Sequence, residues 1–408
     1  ANLSILDIIG LVRKQFIIPL LILIFLITGT VLVVTYGRGY RLGFDGGKPE
    51  LSETGLLVAT SSPNGASVFI NGHLTTATDS TINLSEGAYT VRIYKDGYFP
   101  WQKKIYMQKE VVIKLQASLF ATAPKLESIT IAGVGNPIID PSKTKIAYTV
   151  ASGSAQKNGL YVLDLTTRPL LTLQSSSTQI ADNTIEVFSK SLVLWSPDGK
   201  NLLASASPNL ITPTSYLLDA SEFNDVPRNI TTTITSLLAN WDSERNEKER
   251  ARRETLKLEL RKIISDSFDI IEWSPDETKI LYTASQSATI PIIIKPPLIG
   301  SNQTIEQRII EKGSVYAYDI KEDKNFKIFA APKSQLPLSW LSDSLHLLFV
   351  KDKKIHIVGY DGQNDTTIYA GPFIENYVFP SPNDTKVVIL TNLGNPDISP
   401  NLYNLGLQ

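Results

Sequence analysis

A short segment that joins a tight turn to the start of a strand recurs five times after residue 137. In each copy, an aromatic or apolar residue ends one strand, small or polar residues shape a turn, and an apolar run begins the next strand. Repeats of this kind bury their apolar faces by packing against neighbouring copies. The chain must therefore place several similar β-sheets side by side. The copies occupy residues 139–148, 195–204, 273–282, 340–349 and 379–388.

This layout predicts a β-propeller in residues 118–408, in which each copy belongs to one four-stranded blade. We predict five blades, with six as the alternative. The copy Trp195-Ser196-Pro197-Asp198-Gly199 resembles the repeat of TolB-type propellers, and the resemblance implies that fold. A ring has no exposed sheet edge, so we expect a closing strand at 125–132 that pairs with the C-terminal blade.

Residues 55–117 contain six short runs of alternating apolar and polar residues, separated by turns that are rich in glycine. Asn-Gly and Asp-Gly supply the backbone conformation of tight hairpins, so the pattern predicts a small β-sandwich. The turn residues are Pro63-Asn64-Gly65-Ala66, Asn71-Gly72, Glu86-Gly87 and Lys95-Asp96-Gly97-Tyr98. They resemble the PEGA domain, a surface module of bacterial and archaeal envelope proteins. The sequence departs from that family at Asn64, where the family has Glu, but Asn keeps the turn.

Residues 16–36 form an apolar run without a charge. A helix of about 20 such residues spans the roughly 30 Å hydrocarbon core of a bilayer. We therefore expect a single transmembrane helix at 16–36 that contacts membrane lipid, between an N-terminal cytoplasmic or interfacial segment at 1–15 and a linker at 37–54. A buried core helix and a cleaved signal peptide are the alternatives. The flanking cations nearly balance, and we favour a cytoplasmic N-terminus with the later domains outside the cytoplasm.

Uneven spacing of the repeats indicates two insertions in the propeller. The first, at about 237–268, predicts a charged helix with Glu→Lys/Arg pairs one turn apart and a narrow apolar stripe. The second, at about 287–313, is apolar, and its prolines exclude a central strand. Both insertions either pack onto the propeller or contact a partner. The candidate partner contacts are Ile292, Ile293, Ile294, Pro296, Pro297, Leu298, Leu256 and Leu260.

The sequence offers no cluster of reactive side chains. Cys is absent, His occurs three times, and neither a nucleophile elbow nor a phosphate-binding glycine loop is present. We therefore predict no catalytic residue, no cofactor and no metal site. The formal net charge of −1 gives no field that would attract nucleic acid.

These features predict a membrane-anchored, extracytoplasmic binding or scaffold protein of the cell envelope, whose propeller recognises a protein or a glycan. The expected location is the cell membrane, with a single pass. Two other functions stay open: an extracytoplasmic propeller enzyme, such as a hydrolase or lyase, and the ligand-sensing subunit of a membrane signalling complex. Fold alone does not separate them.

Overall fold

The computed structural model describes residues 5–37, 41–45, 48–52, 54–166, 177–206, 213–330 and 337–408, with side chains at 19–35, at 37 and in the ranges from 54 onward. The fold is mainly β, as predicted. The chain divides into two compact units, each of which is described by itself. The first unit is Ala1–Lys95, Pro100–Ser118 and Ile299–Gln303, and the second is Asp96–Phe99, Leu119–Leu298 and Thr304–Gln408.

Helix α1 extends over Ile5–Gly37, so it also includes most of the segment that was expected at 1–15. Its apolar side chains between Leu20 and Val34 are exposed. In the part of the chain that the structure describes, no helix is both long enough and apolar enough to cross a bilayer. The predicted transmembrane helix at 16–36 is therefore not confirmed, and the side chains of 16–18 and 36 lie outside the described residues.

The sequence predicted a linker at 37–54, but part of this segment is regular structure. It contains an antiparallel pair of strands, Arg41–Asp45 and Lys48–Ser52, in which Arg41 lies opposite Ser52.

The rest of the first unit consists of two β-sheets. Alternation along their strands produces the two faces: Val91 and Ile93 are buried, whereas Arg92 between them is exposed. The strand His73–Ala77 and the parallel pairing of the first and last strands were not predicted. The three-stranded sheet has the order Ser80–Ser85, Thr54–Ser62, Val112–Ser118, and the four-stranded sheet has the order His73–Ala77, Ser67–Ile70, Gly87–Tyr94, Trp101–Met107.

The described residues of the second unit form five antiparallel four-stranded sheets, here called I to V, and each includes one copy of the repeat. Sheets I and II consist of Gly135–Ile139, Lys145–Val150, Gly159–Asp164, Ser177–Asp182, and of Leu192–Trp195, Asn201–Ala206, Thr214–Asp219, Arg228–Asn229. Sheets III and IV consist of Phe268–Trp273, Lys279–Ala284, Val315–Asp319, Lys324–Phe329, and of Leu338–Trp340, His346–Lys351, Lys354–Gly359, Thr366–Tyr369. Sheet V consists of Val378–Pro380, Lys386–Thr391, Asn401–Gly406 and Leu126–Ser128.

A shared hydrogen-bond pattern explains why the repeat forms the same turn. In sheet III, Ser274 Oγ donates to Asp276 Oδ1 at 2.6 Å and accepts the N–H of Lys279 at 2.9 Å. Ser196 makes the same two contacts in sheet II, at 2.6 and 2.9 Å. The turn requires a positive φ, which Gly199 adopts at 67° and Glu277 at 56°. Serine and aspartate therefore close this turn, and glycine is favoured but not obligatory.

Hydrophobic clusters join four neighbouring pairs of sheets: I with II, III with IV, IV with V, and V with I. Part of the strand that was expected at 125–132 pairs as predicted: Leu126–Ser128 lies beside the C-terminal strand of sheet V, and Leu126 lies opposite Leu405. This joint ties the two ends of the second unit together. Each cluster contains buried side chains from both of its sheets. Examples are Ala147 and Leu202, Leu281 and Leu347, Leu348 and Ile389, and Val388 and Ile146.

The first insertion contains two helices rather than the single helix that was predicted, α2 at Ile234–Glu254 and α3 at Leu258–Ser267. The expected pairs Glu244–Lys248 and Glu249–Arg253 form on α2, at 3.1 and 2.7 Å. Trp241 of α2 is buried in a cluster with side chains of sheet II, and the apolar stripe of α3 packs on sheet III. Sheets II and III thus both pack against this helical insertion.

Candidate functional site

Two features of the second unit could carry function. One is a polar cluster where the first strands of several sheets meet, and the other is the apolar insertion, of which residues 287–298 and 304–313 belong to this unit. The cluster centres on Lys143, in the turn that follows the first strand of sheet I. Its Nζ lies 2.9 Å from Ser339 Oγ and 3.1 Å from Trp340 O, both on the first strand of sheet IV. It also forms an ion pair with Glu272, on the first strand of sheet III. One ammonium group therefore links three sheets.

Electrostatics show what this lysine can do. Burial lowers the pKa of Lys143, and the Glu272 carboxylate acts in the opposite direction. A lysine with a lowered pKa is a candidate nucleophile. However, an ammonium group has three N–H donors, and Glu272, Ser339 and Trp340 provide an acceptor for each. The arrangement favours a structural cross-link over a reactive amine.

Glu272 and Trp340 complete this network. Glu272 Oε2 accepts the main-chain N–H of Trp340 at 3.0 Å, and the indole Nε1 of Trp340 donates to the carbonyl of Glu272 at 3.3 Å. Trp340 is fully buried. Because buried polar groups are costly unless they are paired, these contacts fix the relative position of sheets III and IV.

Helix α2 contacts the repeat turns of sheets II and III. Lys248 Nζ donates to the carbonyl of Pro197 at 3.2 Å in the turn of sheet II. In sheet III, Arg252 pairs with Glu277 at 2.8 Å, and Trp273 Nε1 donates to Glu249 Oε2 at 2.8 Å. The charged face of the helix therefore holds two repeat turns together.

The apolar insertion is held in place by one buried carboxylate. Asp323 Oδ2 accepts the main-chain N–H groups of Ile293 and Ile294, at 2.6 and 2.8 Å. Asp323 Oδ1 accepts a hydrogen bond from Tyr318 Oη at 2.7 Å and pairs with Arg308 at 3.2 Å. The paired strands Ala288–Thr289 and Ile309–Ile310 close the base of the insertion. Its backbone is thus fixed although it contains no central strand, as the prolines predicted.

The predicted partner contacts differ in how far they are exposed to solvent. Ile292 and Leu298 are 49% and 47% exposed, and Pro296 and Pro297 are also exposed. Ile293 and Ile294 are half-buried.

Leu256 and Leu260, by contrast, are not available to a partner in this structure. They are 7% and 3% exposed, within a cluster that includes Phe268, Tyr282 and Ile290. The stripe of α3 packs on sheet III because that arrangement removes its apolar side chains from water. Of the two alternatives, packing against the sheets of the second unit is the one that the structure contains.

The remaining candidates for chemistry occupy separate places. His73 is exposed in the first unit, His346 is buried beside Asp343 with Nδ1 2.5 Å from Oδ2, and His356 lies 3.0 Å from Asp365. Within the described ranges, no group of three or more His, Cys, Asp or Glu side chains could hold a metal ion.

Sequence reasoning did not identify Asp323, Glu272 or the role of Lys143. Asp323 follows a recognisable strand, but its partners Ile293, Ile294 and Arg308 are far from it in sequence. The only local signal is its place in a turn with a φ of 53°, which is uncommon for a residue other than glycine.

Comparison with known proteins gives one family match. Residues 54–122 match the family described as PEGA domain. No curated protein matches the sequence.

Solved structures give only weak likenesses. TolB from Acinetobacter baumannii is 16% identical with a TM-score of 0.23, over 78% of this chain and 60% of that chain. The β-propeller domain of the Trilobed protease from Pyrococcus furiosus is 14% identical with a TM-score of 0.22, over 87% of this chain and 96% of that chain. The description of the second unit therefore rests on its own sheets. The chain carries the predicted PEGA domain at residues 54–122, followed by a propeller-like array of four-stranded sheets.

Proposed function

We propose that this chain is a membrane-attached binding protein of the cell envelope, displayed outside the cytoplasm, and that its second unit binds a protein partner through the apolar insertion. We further propose that sheets I to V form a closed five-bladed propeller. The observation that carries the binding proposal is the exposure of Ile292, Pro296, Pro297 and Leu298 on a backbone that Asp323 holds in place. Exposed apolar side chains that lie together are typical of interaction sites.

Rigidity strengthens this proposal. A loop that is already ordered loses less conformational entropy when it binds, so more of its contact energy appears as affinity. The two main-chain hydrogen bonds to Asp323 and the contact from Lys257 Nζ to the Ile293 carbonyl at 3.3 Å restrain the segment next to Ile292. Four of the exposed side chains, Ile292, Pro296, Pro297 and Leu298, are apolar, which favours a protein surface over a glycan.

Attachment to the membrane is supported by the first part of the chain. The uncharged run at 16–36 has a length suited to a bilayer core, and the described side chains from Leu20 to Val34 expose apolar surface along α1. Exposed apolar surface of this extent is unfavourable in water and favourable in lipid. We propose that α1 provides the anchor, with its N-terminus in the cytoplasm.

The polar cluster around Lys143 is better suited to a binding protein than to an enzyme. The observation closest to an enzyme is the lowered pKa of Lys143, yet Glu272, Ser339 and Trp340 occupy its N–H donors. A catalytic amine would need to be deprotonated, with its nitrogen lone pair in contact with the substrate.

Photo-crosslinking from position 292 tests the binding proposal. A photoreactive residue in place of Ile292 should give a discrete adduct in cells, and the further changes Pro297→Ser and Leu298→Ser should reduce its yield several-fold, on the order of the loss when interface anchors are removed. The matched control places the same residue at Val226, which is 90% exposed in the same unit but outside the insertion. Equal adducts from both positions, or none from position 292, would contradict the proposal.

A further inference from the structure

The outward face of the four-stranded sheet in the first unit presents two cations on neighbouring strands. Alternation along the strands directs Arg92 and Lys104 to this face, and both side chains are exposed. Thr90 lies opposite Lys104, and Arg92 lies opposite Gln102, so the two cations are diagonal neighbours. Such positions are about 7–8 Å apart between backbones, within reach of one extended ligand.

Aromatic rings hold one of these cations in position. The Arg92 guanidinium lies 5.7 Å from the ring centroid of Phe69 and 5.3 Å from that of Tyr94. Cation–π contacts at this distance orient the planar guanidinium without neutralising its charge. Its N–H edge therefore stays available for two parallel hydrogen bonds to a carboxylate.

Neither cation has an acidic partner among the described residues of this unit. No ion pair involves Arg92 or Lys104 within that part of the chain. The acidic residue at the margin of the face, Glu86, instead accepts a hydrogen bond from Tyr106 Oη at 3.3 Å. Two like charges side by side are unfavourable unless a ligand of opposite charge binds them, so the face is complementary to an anion.

The apolar side chains on the same face indicate the kind of anion. Leu74 and Tyr106 are 65% and 48% exposed. They flank the cations and offer contact area to the apolar faces of sugar rings. The bases of a nucleic acid would find little aromatic surface to stack on, because Arg92 lies over both Phe69 and Tyr94. The formal charge of −1 also provides no long-range attraction for a nucleic acid.

We propose that this face of the PEGA domain binds an acidic polysaccharide, with Arg92 and Lys104 pairing with uronate carboxylates and Tyr106 and Leu74 contacting the sugar rings. The choice of a glycan rests on the proposed location outside the cytoplasm. The two proposals depend on different side chains, so either proposal can fail while the other holds.

Calorimetric titration of the full chain in a neutral detergent tests this inference. The probe is alginate oligosaccharide, with dextran of equal length as the uncharged control. We expect saturable binding to alginate and none to dextran. Arg92→Gln with Lys104→Gln should weaken alginate binding at least about tenfold, because two charge-assisted contacts are lost.

Lys114→Gln is the matched control, because Lys114 is exposed on the three-stranded sheet of the same unit. It removes the same charge elsewhere and should leave the affinity within about twofold. Circular dichroism verifies that each variant folds. The inference is overturned if wild type does not bind alginate, if the double variant binds as wild type does, or if oligo-dT or phosphatidylglycerol vesicles bind this face as tightly as alginate.

Crosslinking from position 292 should be the same in Arg92→Gln/Lys104→Gln as in wild type. A loss of alginate binding without a loss of crosslinking separates the glycan site from the protein-binding site. A parallel loss of both would indicate that the substitutions disturb the chain as a whole, and would count against the inference.

Discussion

Asp323 accepts the main-chain N–H of Ile293 at 2.6 Å, across 30 positions in the sequence. Its other contacts are to Ile294, Tyr318 and Arg308. Through these contacts, one buried carboxylate restrains the apolar segment at Ile293 and Ile294, which lies outside the short strand pair at the base of the insertion. The candidate binding surface therefore depends on a residue that is itself 3% exposed.

Asp323→Ala should destabilise the second unit by about 2–4 kcal/mol, because it leaves the N–H groups of Ile293 and Ile294 without acceptors and removes one of the two carboxylates that pair with Arg308. Hydrogen exchange of the Ile293 and Ile294 amides should become faster. Urea unfolding and exchange mass spectrometry measure the two effects. The exposed Asp225 provides the control, and unchanged exchange at Ile293 in Asp323→Ala would show that the carboxylate does not hold the loop.

The ion pair between Lys143 and Glu272 should show strong coupling. Lys143→Met should cost about 2–4 kcal/mol, because it leaves a largely buried carboxylate without its partner. The variant Lys143→Met/Glu272→Gln should lose at least about 1 kcal/mol less than the sum of the single changes. Arg250 and Glu254, at 3.8 Å and 71% and 63% exposed, form the control pair, for which the coupling should be near zero. Additive losses at Lys143 and Glu272 would rule out the cross-link.

Trp241 tests whether the helical insertion is part of the folded unit. Its side chain is 7% exposed against sheet II, so Trp241→Ala should cost about 3–5 kcal/mol in thermal or urea unfolding. Arg245→Ala, on the exposed face of the same helix, should change stability by less than about 0.5 kcal/mol. Equal and small effects would mean that α2 does not contribute to the core.

Acid stability should depend on Asp343. Burial would raise the pKa of Asp343, but its hydrogen bond and charge interaction with His346, together with the N–H groups of Leu345 and His346, hold the pKa below its usual value. A carboxyl with a lowered pKa stabilises the fold above its unfolded pKa of about 3.9, and this contribution is lost as the pH falls through the folded pKa.

The difference in unfolding free energy between wild type and Asp343→Asn should therefore be about 1–3 kcal/mol near pH 6 and should shrink toward pH 3. Denaturant titrations at several pH values measure it, and Asp225→Asn should show no such trend. A difference that stays constant with pH would contradict the assignment.

The sequence predicted those parts of the fold that depend on local chemistry. The turns of the repeats and the strands Ser67–Ile70 and Trp101–Met107 follow from turn residues and alternation. The pairing of Leu126 with the last strand follows instead from the expectation that no sheet edge stays exposed. The break between α2 and α3 was missed because the apolar spacing continues across Thr255 without proline or glycine.

The site was less accessible to sequence reasoning, because its contacts join distant residues. The sequence identified Ile292 and Leu298 as exposed apolar candidates, but nothing near Asp323 shows that its carboxylate reaches Ile293. Likewise, Lys143 has the sequence context of an ordinary turn residue, and Glu272 lies in a separate sheet. Such pairs become visible only when the sheets are assembled.

The proposed location of the two units outside the cytoplasm is the central claim, and the natural absence of cysteine allows a direct test. Val226→Cys places a single thiol at an exposed position of the second unit. A membrane-impermeant maleimide should label this thiol in intact spheroplasts, with the full chain in the membrane fraction. Labelling that appears only after the membrane is permeabilised would contradict the account.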